Sequence, residues 1–173
     1  MQPLQFYHLY NRGINRQRIY FKSENYLLFI RKTRKFLVPH VHIVNYCLMP
    51  NHFHFLLYTR NEFRHKIFAK DLAIMLSSYA KAINNQEKRV GSLFQQNTKR
   101  KLLVKESSQF NCFHYIHQNP VKSGLVERTK DWEMSSYKDY AGLRKGSLCD
   151  LKIAYEFLDI PEDPALFVRQ SEG

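Results

Sequence analysis

The spacing of apolar residues along the chain predicts an alternation of strands and helices. Alternating or short continuous apolar runs are typical of strands, whereas apolar residues three or four apart are typical of helices. We expect strands over residues 4–12, 41–48, 52–59 and 100–105, and helices over 24–37, 63–89 and from 107 or 108 to about 120. The order strand, helix, strand, strand, helix, strand predicts an α+β fold, a ferredoxin-like (split βαβ) antiparallel sheet with helices on one face.

The two long helices should each bury one apolar stripe and leave the rest of their surface in solvent. In the first helix the stripe consists of Tyr26, Ile30, Thr33 and Leu37. In the second helix it consists of Phe68, Leu72, Met75, Leu76, Tyr79 and Ile83.

Proline marks the ends of several elements. Met49-Pro50-Asn51 is a tight connection, so the strands on either side of it should form an antiparallel hairpin. Pro120 should end the third helix, because proline cannot extend a helix and constrains the residue before it. A short helix is expected near residues 150–159, and the last dozen residues should form a loose tail. We therefore expect a domain over residues 1–142 and a C-terminal extension and tail over residues 143–173.

Charge indicates the kind of partner. Lysine and arginine number 27 against 15 acidic residues, which gives a formal net charge of +12. For a compact domain this excess is typical of proteins that bind a polyanion, usually nucleic acid. The three cysteines are far apart and predict reduced thiols in a cytosolic protein. No apolar run approaches the roughly 18 residues of a membrane span, and no signal peptide is evident, so we expect a soluble, intracellular protein.

Two histidines lie two residues apart at the start of the third predicted strand. Because side chains alternate across a strand, His52 and His54 point to one face and the phenylalanines beside them to the other. Two imidazoles on one face can form part of a metal site, and catalytic metal sites usually have three protein ligands. His40 and His42 have the same spacing at the other end of the hairpin, too far away to share that site. The residues alone barely separate the two pairs, and ordinary surface histidines would fit either.

Tyr115 and Asn119 lie four residues apart on the third predicted helix and therefore on one face of it. A tyrosine hydroxyl can attack phosphorus and form a covalent intermediate, and an amide oxygen can be a third metal ligand. Asn119 precedes a proline, which biases its backbone away from the helical region and leaves Gln118 as a second candidate ligand. Because the chain has eleven tyrosines, Tyr115 alone is equally compatible with a packing role.

Several segments together resemble motifs of the single-tyrosine HUH transposases. Within that group the chain looks most like the REP-associated tyrosine transposases, whose tyrosine helix is followed by a Trp and a Ser-Ser-Tyr segment. The resemblance covers about residues 4–142, with every motif in the expected order. The segments are Tyr7-His8-Leu9-Tyr10-Asn11-Arg12-Gly13, Met49-Pro50-Asn51-His52-Phe53-His54, Ser92-Leu93-Phe94-Gln95, Tyr115-Ile116-His117-Gln118-Asn119-Pro120-Val121-Lys122-Ser123-Gly124-Leu125-Val126, Trp132 and Ser135-Ser136-Tyr137.

The resemblance implies a metal-dependent endonuclease and strand transferase that acts on single-stranded DNA near hairpins. It implies that His52 and His54 are the HUH histidines, Asn119 the amide ligand and Tyr115 the nucleophile, with Mg²⁺ or Mn²⁺ as the metal. Attack by Tyr115 would leave a 5′-phosphotyrosine link and a free 3′-hydroxyl that can later rejoin the DNA. His40 and His42 become bystanders. The resemblance also implies a bacterial cytoplasmic protein, at the nucleoid when bound to DNA, and a monomer, although some relatives are dimers that exchange the tyrosine helix.

Basic and aromatic residues are candidates for DNA contacts. Cations interleaved with Tyr10 and Tyr20 suit phosphate contacts and base stacking, and further cations flank the proposed site in the sequence. The resemblance implies a hairpin with a short guide sequence at its foot as the substrate. The candidate cations are Arg12, Arg16, Arg18, Lys99, Arg100, Lys101 and Lys122.

Two other functions fit part of this pattern. A non-catalytic nucleic-acid-binding module would share the positive charge and the fold, but it does not need the histidine pair together with Tyr115 and Asn119. A domesticated nickase that acts on chromosomal repeats would use the same chemistry without moving itself, and the sequence does not distinguish it from a mobile transposase.

Overall fold

The computed structural model describes residues 1–172. Single turns of 3₁₀ helix lie at Ile14–Arg16 and Thr129–Asp131. No helix within the described residues is long and apolar enough to cross a membrane. The strands are β1 (Phe6–Arg12), β2 (Val41–Met49), β3 (His52–Thr59) and β4 (Lys99–Leu102). The helices are α1 (Ser23–Phe36), α2 (His65–Glu87), α3 (Glu106–Lys122), α4 (Tyr137–Tyr140), α5 (Leu151–Phe157) and α6 (Pro164–Glu172).

The strands form one antiparallel sheet in the order β2-β3-β1-β4. Together with the chain order β1-α1-β2-β3-α2-β4, this is the predicted split βαβ arrangement. A two-residue turn joins β2 and β3, so that Met49 pairs with His52 as expected for a tight hairpin. The N–H of Gly13 donates to the Asn51 carbonyl (2.8 Å) and the N–H of Ile19 donates to the Pro50 carbonyl (2.9 Å). These bonds hold the segment after β1 against the start of β3.

Helices cover both faces of the sheet, which corrects the expectation of helices on one face. On the first face α1 and α2 form a core with the sheet, and the ring centroids of Phe29 and Phe53 are 5.0 Å apart. On the second face α3 packs against β2 and β3, and Ile116 shares a core with Leu56. The two central strands β3 and β1, and most of β2, are buried on both sides. A sheet that is apolar on both faces needs a covering layer on each.

The two long helices differ in how well their buried stripes were predicted. α2 buries five of the six expected residues, Phe68, Leu72, Met75, Tyr79 and Ile83, and the sixth, Leu76, is half-buried. α1 buries Thr33 and the following Leu37 as predicted, but near its start it buries Asn25 and Phe29, while the predicted Tyr26 and Ile30 are only half-buried. In its first half, the side of α1 that faces the sheet is therefore rotated by about one residue from the predicted stripe.

The segment after α3 attaches to the outer edge of β2. The N–H of Ser136 donates to the Tyr46 carbonyl (3.0 Å), and the N–H of Tyr46 donates to the Ser136 hydroxyl (2.9 Å). The Tyr140 hydroxyl donates to the Val44 carbonyl (2.6 Å). Covering an edge strand in this way removes unpaired backbone groups from solvent.

The C-terminal residues are more ordered than predicted. α5 occupies the expected position, but residues 164–172 form helix α6 instead of a loose tail. Phe167 of α6 is completely buried in the second core, among rings that include Phe113 and Tyr140. A helix as short as α6 is not stable by itself, and burial of an aromatic side chain supplies the missing stability. Ala141, beside the predicted boundary at residue 142, belongs to this core, and the division into two parts stays a prediction.

Candidate active site

The register of β1 and β3 places the histidine pair on the face that α3 covers. His54 is paired with Tyr10 and His52 with Arg12, so four side chains lie side by side on this face of the sheet. The ring centroids of His52 and His54 are 5.0 Å apart. The two-residue hairpin turn puts His52 at the end of the sheet, where the clefts described below open to solvent.

α3 brings Tyr115 and Asn119 over the same histidines. The ring of Tyr115 lies edge-on to His54, with 5.8 Å between centroids, and Tyr115 is 42% exposed. Asn119 is buried and lines the same cleft as His52. The spacing of four residues therefore directs both side chains to one site, as a helix requires.

α3 ends at Lys122, near Pro120 as predicted, but the proline lies inside the helix and does not end it. The N–H of Ser123 donates to the Asn119 carbonyl (2.9 Å), so Asn119 lies within a regular helical turn. Its side-chain amide donates to the Tyr115 carbonyl (3.0 Å), one turn earlier. That bond orients the amide and leaves the oxygen Oδ1 directed toward other partners.

The side chains of His52, His54, Tyr115 and Asn119 line one cleft of about 390 Å³. Arg12 and Lys99 also line this cleft. A second cleft of about 500 Å³ shares Tyr10, His54 and Tyr115 and is bounded by Lys101. Tyr115 thus stands between two clefts that each contain cationic side chains.

Both histidines of the pair are neutral at physiological pH. Burial, followed by the nearby Arg12 guanidinium, lowers the pKa of His52 to about 4, although a hydrogen bond with Asn119 acts in the opposite direction. Burial, followed by His8, His52 and Arg12, lowers the pKa of His54 to about 2. A neutral imidazole keeps a nitrogen lone pair, which is the form that binds metal.

Each of these histidines has one ring nitrogen engaged by a neighbour. Nδ1–H of His52 donates to Oδ1 of Asn51 (2.6 Å). Nδ1 of His54 lies 2.9 Å from Nε2 of His8, a residue of β1 that is itself buried. Nε2 is therefore the nitrogen of His54 available for a further ligand, and Nε2 of His52 is available for Asn119 or a metal.

The donor set fits a divalent cation only if the amide takes part. Within residues 1–172 no three His, Cys, Asp or Glu side chains converge in a way that could hold a metal. Two neutral imidazoles and the oxygen of Asn119 would supply three ligands, the number usual for a catalytic site with open positions. Such a set suits several divalent metals, and its neutrality favours additional anionic ligands from a substrate.

The other predicted residues lie in different places around this cleft. Gln118 lines a separate cleft with Lys122 and Arg128, so the structure does not bring it to the histidines. The second histidine pair lies away from the site: His40 is hydrogen-bonded to Asp71 (2.7 Å) and His42 to Asp150 (2.8 Å).

The candidate DNA-binding cations also differ in position, and all but Arg100 lie near the proposed site. Arg16 and Arg18 line a third cleft of about 470 Å³ that also contains Arg12 and His52. The ammonium group of Lys122 lies 5.6 Å from the centroid of the Tyr115 ring. Lys99 and Lys101 border the clefts beside Tyr115, whereas Arg100 alternates to the opposite face of the sheet and lines a groove beside α2.

Sequence reasoning missed His8 as a residue of the site and considered Tyr10 only as a DNA contact. The alternation of β1 was a usable signal, because it predicts that His8, Tyr10 and Arg12 share one face. The missing information was the register between β1 and β3, which places this face beside His54.

Comparisons with known proteins agree with the resemblance of the motifs. No family model matches the chain. A protein of Haemophilus influenzae named as a REP-associated tyrosine transposase is 30% identical over 100 residues, which are 53% of this chain and 56% of that protein. The chain thus matches little more than half the length of this relative.

A solved structure extends the similarity to most of the fold. It is that of a REP-associated tyrosine transposase bound to a REP hairpin, with a TM-score of 0.63 and 16% sequence identity. The match covers 86% of this chain and 89% of that chain. The relative from Haemophilus influenzae carries the name of the family that the motifs resemble, and the solved structure has the same fold as this chain.

Proposed function

We propose that the protein is a metal-dependent endonuclease and strand transferase that cleaves single-stranded DNA next to hairpins. One observation carries the proposal: Tyr115, on α3, lies beside His54 in an open, positively charged cleft, with 5.8 Å between the two ring centroids. A binding module does not require an exposed tyrosine beside two neutral imidazoles, one of them buried, and an amide. The solved relative binds a REP hairpin, which supports DNA hairpins as the partner of this chain.

The residues that would hold the cation are His52, His54 and Asn119, and Mg²⁺ or Mn²⁺ is the proposed ion. When bound, such an ion would polarise the non-bridging oxygens of the scissile phosphate and favour in-line attack. The three ligands are uncharged, so the substrate phosphate would add the negative charge that a hard divalent cation prefers. Metal affinity should therefore be higher with DNA than without it.

Tyr115 is the proposed nucleophile. Its hydroxyl oxygen forms a bond to phosphorus as the bond from phosphorus to the 3′ oxygen breaks. The tyrosine hydroxyl loses its proton, and the departing 3′ oxygen gains one. The product is a 5′-phosphotyrosine link with a free 3′-hydroxyl, and attack of such a hydroxyl on the link reverses the chemistry and joins DNA without a nucleotide cofactor.

The cations around the clefts would bind the DNA backbone on both sides of the tyrosine. Arg12 and Lys99 border one cleft, and Lys101 borders the other. Lys122 places a positive charge over the Tyr115 ring, close to where the phosphate would bind. Neutralising phosphates in this way supplies affinity that falls with increasing salt.

A denaturing gel tests the nucleophile directly. The protein is incubated with Mg²⁺ or Mn²⁺ and labelled single-stranded hairpins taken from repeats in its source genome. We expect a covalent protein–DNA band from the unmodified protein and from the control Tyr155→Phe, whose tyrosine lies on α5 away from the cleft. Tyr115→Phe should bind the hairpin and give no covalent band.

Two results would contradict the proposal. An equal covalent band from Tyr115→Phe would exclude this tyrosine as the nucleophile. Tight, metal-independent hairpin binding without a covalent band from any repeat would favour a non-catalytic binding module.

A further inference from the structure

A third histidine contacts the pair from the neighbouring strand. Tyr10 of β1 is paired with His54, so His8, two residues away on the same face, is its diagonal neighbour across the strands. Nε2 of His8 lies 2.9 Å from Nδ1 of His54, and the two rings are stacked with 5.0 Å between centroids. Both side chains are less than one-tenth exposed.

The ring of His8 is held in place by its surroundings. It packs against Tyr10, with 4.6 Å between centroids, and edge-on to Tyr115, at 6.2 Å. At 2.9 Å between Nε2 of His8 and Nδ1 of His54, the two imidazoles form one N–H···N hydrogen bond, in which one ring donates and the other accepts.

The direction of this bond decides what His54 can do. If Nδ1–H of His54 donates to His8, Nε2 of His54 keeps its lone pair and can bind a ligand. If His8 donates instead, the proton of His54 resides on Nε2, and the ring has no nitrogen left for a metal. The contact with His8 therefore either leaves Nε2 of His54 free to bind a metal or prevents His54 from binding one.

The other histidine of the pair has a contact at the same ring nitrogen. Nδ1 of His52 faces the oxygen of Asn51, which can only accept a hydrogen bond. The orientation of that amide is set by its nitrogen, which donates to the Arg16 carbonyl (3.1 Å). His52 is thus held with its proton on Nδ1, and the matching contact of His54 is the one to His8.

We propose that His8 is a positioning residue, whose Nε2 accepts the Nδ1 proton of His54 and holds that ring with its Nε2 lone pair free to bind a metal. Metal-binding histidines usually donate their second N–H to a carboxylate or carbonyl, and a histidine takes that position here. The inference rests on the proposed function, in that the ligand of His54 is the divalent cation of the cleavage reaction. His8 itself contacts neither the cation nor the DNA in this assignment.

The tautomer of His54 can be measured without metal, DNA or substitution. In metal-free protein, ¹⁵N NMR of the imidazole distinguishes a proton on Nδ1 from one on Nε2. We expect His54 to carry its proton on Nδ1. A proton on Nε2 would overturn the proposal, whatever the protein does with metal.

Three variants then test the consequence by Mn²⁺ titration in the absence of DNA. His8→Phe keeps an aromatic ring but removes the acceptor, and loss of such a partner should weaken Mn²⁺ binding by about 10- to 100-fold. His8→Gln offers an amide oxygen as acceptor and should retain most of the affinity and the Nδ1–H tautomer. His42→Phe is the matched control, because it removes a hydrogen-bonded strand histidine at the other end of the sheet, and it should bind Mn²⁺ like the unmodified protein.

The outcomes separate this proposal from the proposed function. Unmodified protein that binds Mn²⁺, together with His8→Phe that binds it equally well, overturns the role of His8 and leaves the metal site intact. Unmodified protein that fails to bind Mn²⁺ with or without DNA overturns the metal site itself and the role of His8 with it. If His8→Phe does not fold, the tautomer of the unmodified protein and the affinity of His8→Gln still decide the question.

Discussion

Replacing Phe167 with alanine tests whether the last helix is part of the core. A loose tail would tolerate the change, whereas in the structure the side chain is 0% exposed. Its ring lies edge-on to Phe113, with 6.3 Å between centroids, and is tilted against Tyr137 at 5.3 Å and Tyr140 at 5.4 Å. These contacts join α6 to the inner side of α3, the helix that carries Tyr115.

The expected cost follows from burial and from the cavity that remains. Losing a fully buried phenylalanine ring removes about 2 kcal/mol of transfer free energy. Incomplete collapse of the cavity adds about 1–2 kcal/mol, so that the total lies within the range of about 3–5 kcal/mol seen for such substitutions. Native proteins have roughly 5–15 kcal/mol of stability, so the variant should still fold at room temperature.

Urea denaturation measures the effect. With a slope of about 2 kcal/mol per molar urea, the unfolding midpoint of Phe167→Ala should fall by about 1.5–2 M. Leu166→Ala is the matched control, since Leu166 is the neighbouring residue and is 51% exposed. That change should alter the unfolding free energy by no more than about 0.5 kcal/mol. A midpoint shift for Phe167→Ala no larger than that of the control would refute the packing of α6 into the core.

Two further predictions concern charged side chains. Arg144 donates to the carboxylate of Asp139 (2.7 Å), whose side chain is only 3% exposed, and to the Ser135 carbonyl (2.6 Å). Arg144→Met leaves that carboxylate buried without its partner and should lower the unfolding free energy by about 3 kcal/mol in urea, whereas a loss below about 1 kcal/mol would contradict the pairing. Arg12→Gln should reduce the slope of log affinity against log salt for a single-stranded hairpin by about 0.7, as measured by fluorescence anisotropy. Arg31→Gln, on the exposed side of α1, is its control, and an equal slope for both variants would argue against a phosphate contact by Arg12.

Local patterns were sufficient for several features of the molecule. The hairpin of β2 and β3 follows from two apolar runs and a connection too short for any other pairing. The stripe of α2 is buried as predicted, because five apolar residues at helical spacing leave one side for the core. The two-residue period of a strand places His52 and His54 on one face of β3. The period of a helix likewise places Tyr115 and Asn119 on one face of α3.

Neighbouring elements decided features that local patterns left open. Packing of α1 against the sheet buries Phe29, although Tyr26 and Ile30 are also apolar. Pro120 lies inside α3, where it removes the hydrogen bond of one N–H, and only two helical residues follow it. For α1 the local preference was small compared with the free energy of packing.

By itself, the sequence determined the types and order of the elements as far as α3, the hairpin and the candidate chemistry of the histidine pair and the tyrosine. Only the tertiary structure decided that helices cover both faces of the sheet, that α6 belongs to the core and that Gln118 points away from the site. The contact between His8 and His54 is likewise tertiary, because it joins residues 46 positions apart. Periodicity specifies which side of an element is apolar, but strand register and the packing of distant segments determine which side chains meet there.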